Sequence, residues 1–417
     1  MLIWTARRRL ATILFSLRAP HSGPSQLDNV THTLFAATLA RTPLGSAGRG
    51  TTAALVLASN IPDIDIVSAV GGAAGYLRWH RGPTHGPLGV VGLGLLTAAI
   101  VWSWMRWVAR LNRLRQGSGA REPRAPVNDA ASDGTTDGAA PASFGMLVAV
   151  SMIGVLLHIL MDLPTSYGTR LLSPFDWHWY GLDWLPIVDV YLLVALAAGL
   201  IFGGRTADAR RRNAAIVLAL MAANYGARGI AHHQALSLAP RLFGPTLPPP
   251  CDDDPQTAMV DRWPRDAAPT PPPSGNRCLV EIAVMPTFTT PFEWRIVAQM
   301  SNAYEVHGID LLDARFTQPP RVSTAFWRQT TRYPNIWTPL VERAAATRLG
   351  RVFLGFSRFP AARSFVDTNG VATIRWTDMR FVAGLIAVEQ PIRRATPFSA
   401  VVRIGADGRI LEESLSR

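Results

Sequence analysis

The chain has 417 residues, 48% of them hydrophobic and only 17% charged, and its mean hydropathy is +0.14. Soluble proteins carry about 25% charged residues, so this shortfall, together with several long apolar runs, argues against a soluble enzyme and for an integral membrane protein. The formal charge of +12 comes from arginine alone, since lysine is absent, and the arginines cluster in loops beside apolar runs, which suits membrane topology and anionic lipid better than nucleic acid.

Residues 1–26 read as an N-terminal extension: Arg7, Arg8 and Arg9 precede an apolar patch too short to span a bilayer, and a native start near Leu27 is the alternative. A helix is expected over 29–40, a turn over 41–50, and a short apolar run over 51–59 that stops at Asn60, Ile61, Pro62, Asp63, Ile64, Asp65. Long apolar runs then predict membrane spans at about 86–108, 144–163, 186–203 and 214–231, each near the 20 residues a helix needs to cross. Between the first two spans, 109–142 is rich in Arg, Gly, Ser and Asp and reads as a disordered loop. The aromatic segment 164–186 suits the headgroup level.

A Pro-rich linker is expected over 236–277, and 278–417 reads as a small α+β extramembrane domain. Its expected strands are 279–285, 294–300, 351–356, 371–376 and 401–404. The predicted fold is therefore mainly α: a polytopic helical membrane domain over 27–235, followed by that domain.

The bias of arginine places the loops at 109–142 and 204–213 in the cytoplasm. Tracing outward puts His80, His85, His158, Asp162 and the 164–186 segment on the outer face. A hairpin with Arg41 and Arg49 at its cytoplasmic tip would bring His32, Asp63 and Asp65 there too. The cluster at Arg7 to Arg9 conflicts with this orientation. The C-terminal domain falls outside, where Cys251 and Cys278 could bridge.

Four segments thus bring metal-ligating side chains to one level. His158 and Asp162, four apart, share a helix face, and ionisable groups in a span are costly enough to signal function, although such a pair can also serve only to glue helices. Asp63 and Asp65 could share a metal or merely terminate a helix. His80 and His85 flank Gly82 and Pro83 in a loop able to turn both rings on one ion, and Arg81 could hold an anionic group. His32 is a single imidazole near a Thr-rich helix start. Zinc is the favoured metal, with Mn or Fe as alternatives.

The ordered motifs 28–34, 60–65, 80–85 and 158–162, with the continuation 166–175, resemble the YdjM-like family of bacterial inner-membrane proteins, described as predicted metal-dependent hydrolases. The likeness is close over about 28–190 and looser beyond 278, where Pro286, Pro291, Trp294, Asp378, Arg380 and Phe381 carry it. The resemblance implies a motif set of His32, Asp63, Asp65, His80, His85, His158 and Asp162. The expectation is a membrane-bound hydrolase of an ester or phosphoester in a lipid or envelope intermediate. His32, Asp63, His80, His85, His158 and Asp162 are its candidate ligands, with Asp65 as base and Arg81 on the substrate. Its partners would be membrane lipid and a small-molecule or lipid substrate. The alternative is a non-enzymatic membrane anchor whose C-terminal domain binds a partner.

Overall fold

A computed structural model describes residues 24–117, 140–239, 248–251, 260–265, 278–288, 290–313, 330–382 and 398–416. Residues 1–23, the central part of the expected 109–142 loop and most of the 236–277 linker lie outside them. The chain forms two compact units: Met1–Asn60, Gly94–Gly154 and Ile187–Met221 make one, and Ile61–Leu93, Val155–Pro186 and Ala222–Arg417 the other.

In the first unit, helix α1 (Pro24–Leu39) packs beside α2 (Thr51–Ala58) and α6 (Val190–Ile201). Arg41, just past the end of α1, donates to the carbonyls of Gly199 (3.1 Å) and Leu200 (2.9 Å). A cation thus sits on the unsatisfied carbonyls and negative dipole end of α6. Arg49 pairs through its backbone with Ala140 and Ala142, just ahead of α5 (Phe144–Asp162). The turn at 41–50 and the starts and ends of these helices therefore share one arginine-bearing level.

Among the described residues, four helical stretches are long and apolar enough to cross a membrane: Thr51–Trp79, α4 (Pro87–Gly117, apolar to Leu114), α5, and α7 (Ala207–Leu238). Leu95, Leu96, Ile100, Trp104 and Trp107 on α4 are exposed, as a lipid-facing helix requires. Two sequence expectations change here. The run at 186–203 yields a helix of only 12 residues, about 18 Å long at 1.5 Å per residue against a hydrocarbon core of about 30 Å. Residues 109–117 continue α4 rather than opening a loop, because Arg and Leu sustain a helix once it is started.

The stretch Thr51–Trp79 is also no straight rod: α2 gives way to a 3-10 segment (Ile61–Gly71) and then α3 (Gly72–Trp79). Gly72, at φ +79°, turns the chain back, since that backbone region is open to glycine at little cost.

In the second unit, β3 (Leu279–Pro286), β4 (Glu293–Met300), β5 (Ala303–Asp310) and β6 (Thr330–Pro334) form an antiparallel sheet in that order. A second antiparallel sheet runs β10 (Ile410–Ser416), β9 (Ser399–Ile404), β8 (Ala372–Asp378), β7 (Pro360–Val366). Side chains alternate across a strand, so Trp294, Ile296, Ala298 and Met300 of β4 meet Ala231, Ala235 and Ala239 on one face of α7. Val297 faces the opposite way, in a core with Tyr304, Phe359, Ala361 and Met379.

The expected strand at 351–356 is instead helix α9 (Arg348–Leu354), following α8 (Pro339–Ala345). Thr347 caps it by accepting from the Gly350 N–H, which a reading of apolar content alone overlooks. Cys251 and Cys278 are joined in a disulfide.

Candidate metal centre

The second unit builds its polar centre from three short stretches. Asp63 and Asp65 lie in the first turns of the 3-10 segment, immediately after buried Pro62. His80 ends α3 with an extended backbone, and Arg81 takes φ +50°, a region that costs a side-chain-bearing residue energy and is held only where the surroundings over-determine it. Here they do: the Arg81 N–H donates to Asp65 Oδ2 at 2.6 Å, and the Arg81 carbonyl accepts from the Arg170 N–H. One 3-10 turn, Pro83–His85, then delivers His85 inward before α4 begins at Pro87. Gly86 must be glycine, because a Cβ there would fall 1.8 Å from the Ser173 carbonyl oxygen. The third stretch is the last turn of α5, where His158 and Asp162 project from one face.

Four donor atoms converge. His85 Nε2 lies 3.2 Å from His158 Nε2, 3.5 Å from Asp63 Oδ1 and 3.4 Å from Asp162 Oδ2. His158 Nε2 lies 3.6 Å from Asp63 Oδ1 and 3.5 Å from Asp162 Oδ2. Ligands bound to zinc at 2.0 to 2.1 Å in a tetrahedron stand about 3.3 to 3.5 Å apart, so the separations among His85, His158 and Asp162 match the edges of one face of such a polyhedron, with Asp63 beside both imidazoles. Imidazole and carboxylate together suit Zn²⁺, Mn²⁺ or Fe²⁺. The charge agrees with the geometry. Asp63, Asp65 and Asp162 contribute −3 and Arg81 +1, so with the imidazoles neutral, as metal ligands must be, −2 is left for a cation to balance.

Burial by itself would lower the pKa of the His85 imidazole, yet the facing carboxylates of Asp162 and Asp63 outweigh it and push it up to about 9. The site attracts positive charge at that nitrogen. His85, His158 and Asp162 have side chains at most 1% exposed, whereas Asp63 is 20% exposed, so the open side of the cluster is its own.

Around the donors stands a shell that fixes their rings. Thr84 Oγ1 (3.0 Å) and Asp65 Oδ2 (3.7 Å) face His85 Nδ1, a carboxylate behind a histidine as in many metal sites. His80 is not one of the converging donors, contrary to the sequence expectation: its Nδ1 faces Asp65 Oδ1 at 3.3 Å and its Nε2 faces the Tyr76 hydroxyl at 3.2 Å. Its burial moves its pKa down against the pull of the Asp65 carboxylate.

Arg81 is committed elsewhere than expected too. Its guanidinium is buried, pairs with Asp162 Oδ1 at 2.9 Å, donates to the Gly168 carbonyl at 2.9 Å and lies over the Tyr167 ring. It orients a carboxylate. His32 lies on α1 in the first unit, 1% exposed.

The C-terminal half supplies braces that no local motif foretold. Arg380, held by Asp378 at 2.7 Å, donates to the carbonyls of Ser166 (3.2 Å) and Tyr167 (3.1 Å), next to the Gly168 carbonyl that receives Arg81. Trp179 of β1 (Trp179–Gly181) and Trp263 of β2 (Asp261–Trp263) are paired, stacked and buried, and their indole N–H groups donate to Gly355 and Phe356. Arg358 joins Asp183 (2.6 Å), Asp261 (3.2 Å) and Glu281. The signal available in sequence was the pair Asp378 and Arg380.

Comparison with known families finds that the model described as YdjM inner membrane protein matches residues 27–235. No curated protein and no solved structure matches the chain.

Proposed function

Because the chain belongs to the YdjM inner membrane protein family, we propose that it is a membrane-bound metal-dependent hydrolase of an ester or phosphoester. The observation that carries this reading is the set of tetrahedral-edge separations among His85, His158 and Asp162, with Asp63 beside both imidazoles and a net charge of −2 when those imidazoles are neutral. His85, His158 and Asp162, the three closed donors, would hold the ion, and zinc is the metal we favour. A divalent cation there supplies Lewis-acid activation of water and of the ester oxygen.

The remaining work falls to the chain's own groups. Asp63 lies at the open side within reach of both imidazoles, so it takes the proton of the attacking water as general base. Asp65 holds His85 in place rather than acting as the base, because both of its oxygens are already engaged. Arg81 keeps Asp162 aimed. The roles assigned to Asp65 and Arg81 from sequence thus become positioning roles.

The orientation we favour keeps the arginine-bearing level of Arg41 and Arg49 in the cytoplasm and the C-terminal domain outside. The disulfide between Cys251 and Cys278 supports it, since such bonds persist in oxidising compartments. The distinguishing experiment is Asp63→Asn on detergent-purified protein. The variant should keep its metal and lose turnover of p-nitrophenyl phosphate or a p-nitrophenyl ester by roughly 10²-fold or more. Undiminished turnover would remove Asp63 from the chemistry.

A further inference from the structure

The 3-10 segment that carries Asp63 also carries an unusual surface. Ile64, Ile66, Val67 and Val70 are 48, 56, 64 and 93% exposed, and no other large apolar side chain among the described residues is as exposed as Val70. The segment and α3 are two legs of a hairpin. Asp65 on the first leg meets His80 and the Arg81 N–H at the end of the second. Further along, the Ser68 carbonyl oxygen lies 3.0 Å from where a Gly75 Cβ would sit. Gly71 and Gly72 make the exposed tip. From Ile66 to Leu77 there is no charged residue, and the one hydroxyl near the tip, Ser68, donates to the Asp65 carbonyl at 2.6 Å.

The base of the hairpin is built differently. Arg78 and Trp79 are exposed there, Arg78 lies over the Trp79 ring, and Trp79 meets Trp177 edge-on. An apolar tip above a base of tryptophan and arginine is the pattern of an element at a membrane interface, its rings at the headgroups and its tip among acyl chains. Seven residues separate the end of α3 from the start of α4, where Leu88 and Val91 are exposed, so the hairpin surface continues into that of a membrane helix. Lipid is therefore the occupant that the surface fits.

We propose that residues 61–79 insert the hairpin tip into the acyl region of the bilayer, and that the substrate is a lipid whose ester head reaches Asp63 along this hairpin from the membrane rather than from water. The route follows from exposure: Asp63 is the open member of the donor cluster, and its neighbours on the same leg, Ile64 and Ile66, are exposed apolar side chains. The substrate half rests on the hydrolase reading; the insertion half does not.

Both natural cysteines are paired, so Val70→Cys supplies a single free thiol for an environment-sensitive NBD label. The labelled full chain is reconstituted into phosphatidylethanolamine and phosphatidylglycerol vesicles with doxyl lipid, beside an Asn369→Cys control in the exposed turn between β7 and β8. The label at position 70 should be quenched by doxyl lipid and shielded from aqueous iodide, and the control should behave in the opposite way. Iodide quenching at 70 equal to that at 369 would overturn the insertion.

For the route, Val67→Asp with Val70→Asp should lower the ratio of turnover on vesicle phosphatidylglycerol to turnover on soluble p-nitrophenyl phosphate by roughly tenfold, since a carboxylate among acyl chains is costly. An unchanged ratio would overturn lateral entry. Wild type that hydrolyses neither substrate would refute the hydrolase reading, and the quenching result would still decide the insertion.

Discussion

Replacing Asp65 by Asn isolates the shell behind the donors from the donors themselves. The amide keeps the shape and one acceptor oxygen but loses the charge, and it cannot accept both from the Arg81 N–H at 2.6 Å and towards His80 Nδ1 at 3.3 Å. Behind His85, Oδ2 at 3.7 Å no longer favours the ring orientation that aims Nε2 at the cluster. Losing such an outer partner costs roughly 10- to 100-fold in metal affinity, or about 1.4 to 2.7 kcal/mol. The site charge also changes from −2 to −1, which places the expectation towards the upper end of that range. The assay is zinc affinity in detergent by competition with a chromophoric chelator, with Asp407→Asn, in the exposed turn between β9 and β10, as control. A zinc affinity for Asp65→Asn within about twofold of wild type would refute the positioning role, because an engaged outer-shell carboxylate cannot be that inert.

Two further outcomes concern the C-terminal half. Burial, with the carboxylates of Asp183 and Glu281 alongside, pushes the Asp261 pKa up to about 7 against the pull of Arg358. A raised pKa in the folded state means that folded protein holds a proton the unfolded chain releases. The stabilisation is complete below the ordinary carboxylate range and is lost as pH rises through about 7. Thermal midpoints in detergent should fall between roughly pH 5 and 8, by up to about 1.4 kcal/mol of stability per pH unit, and Asp261→Asn should flatten that slope; equal slopes in both proteins would contradict it. The Cys251 to Cys278 bridge spans 27 residues, so the chain-entropy estimate gives about 3.5 kcal/mol for closing that loop. Reduction, or Cys251→Ser with Cys278→Ser, should lower the unfolding midpoint of the C-terminal sheets, and an unchanged midpoint would refute it.

Much of the site was legible because its signals are local. A four-residue spacing in an apolar helix marked His158 and Asp162, and an apolar run stopping at Pro62 marked Asp63 and Asp65. His80 and Arg81 were misjudged because a loop motif gives residue types but not directions. His85 is turned inward by the 3-10 turn at Pro83–His85, while His80 stays behind Asp65 and Arg81 turns to Asp162. The hairpin was not legible because the apolar stretches on either side of Gly71 and Gly72 are too short to mark an element by length or period.

Helix α9 was hidden because a short apolar run does not by itself separate strand from helix. The brace from Arg380 to Ser166 joins residues 214 apart in sequence, and no periodicity carries such a pairing. The membrane helices and most strands, by contrast, follow from apolar length and alternation.

The most direct test of the central claim is the metal content of purified wild type beside His85→Ala and His158→Ala, measured by mass spectrometry after reconstitution with zinc and removal of the excess. About one tightly held divalent ion per chain is expected in wild type, and substantially less in both variants at unchanged helical content. Wild type that retains no metal, or variants that retain as much as wild type, would contradict the metal centre of His85, His158 and Asp162.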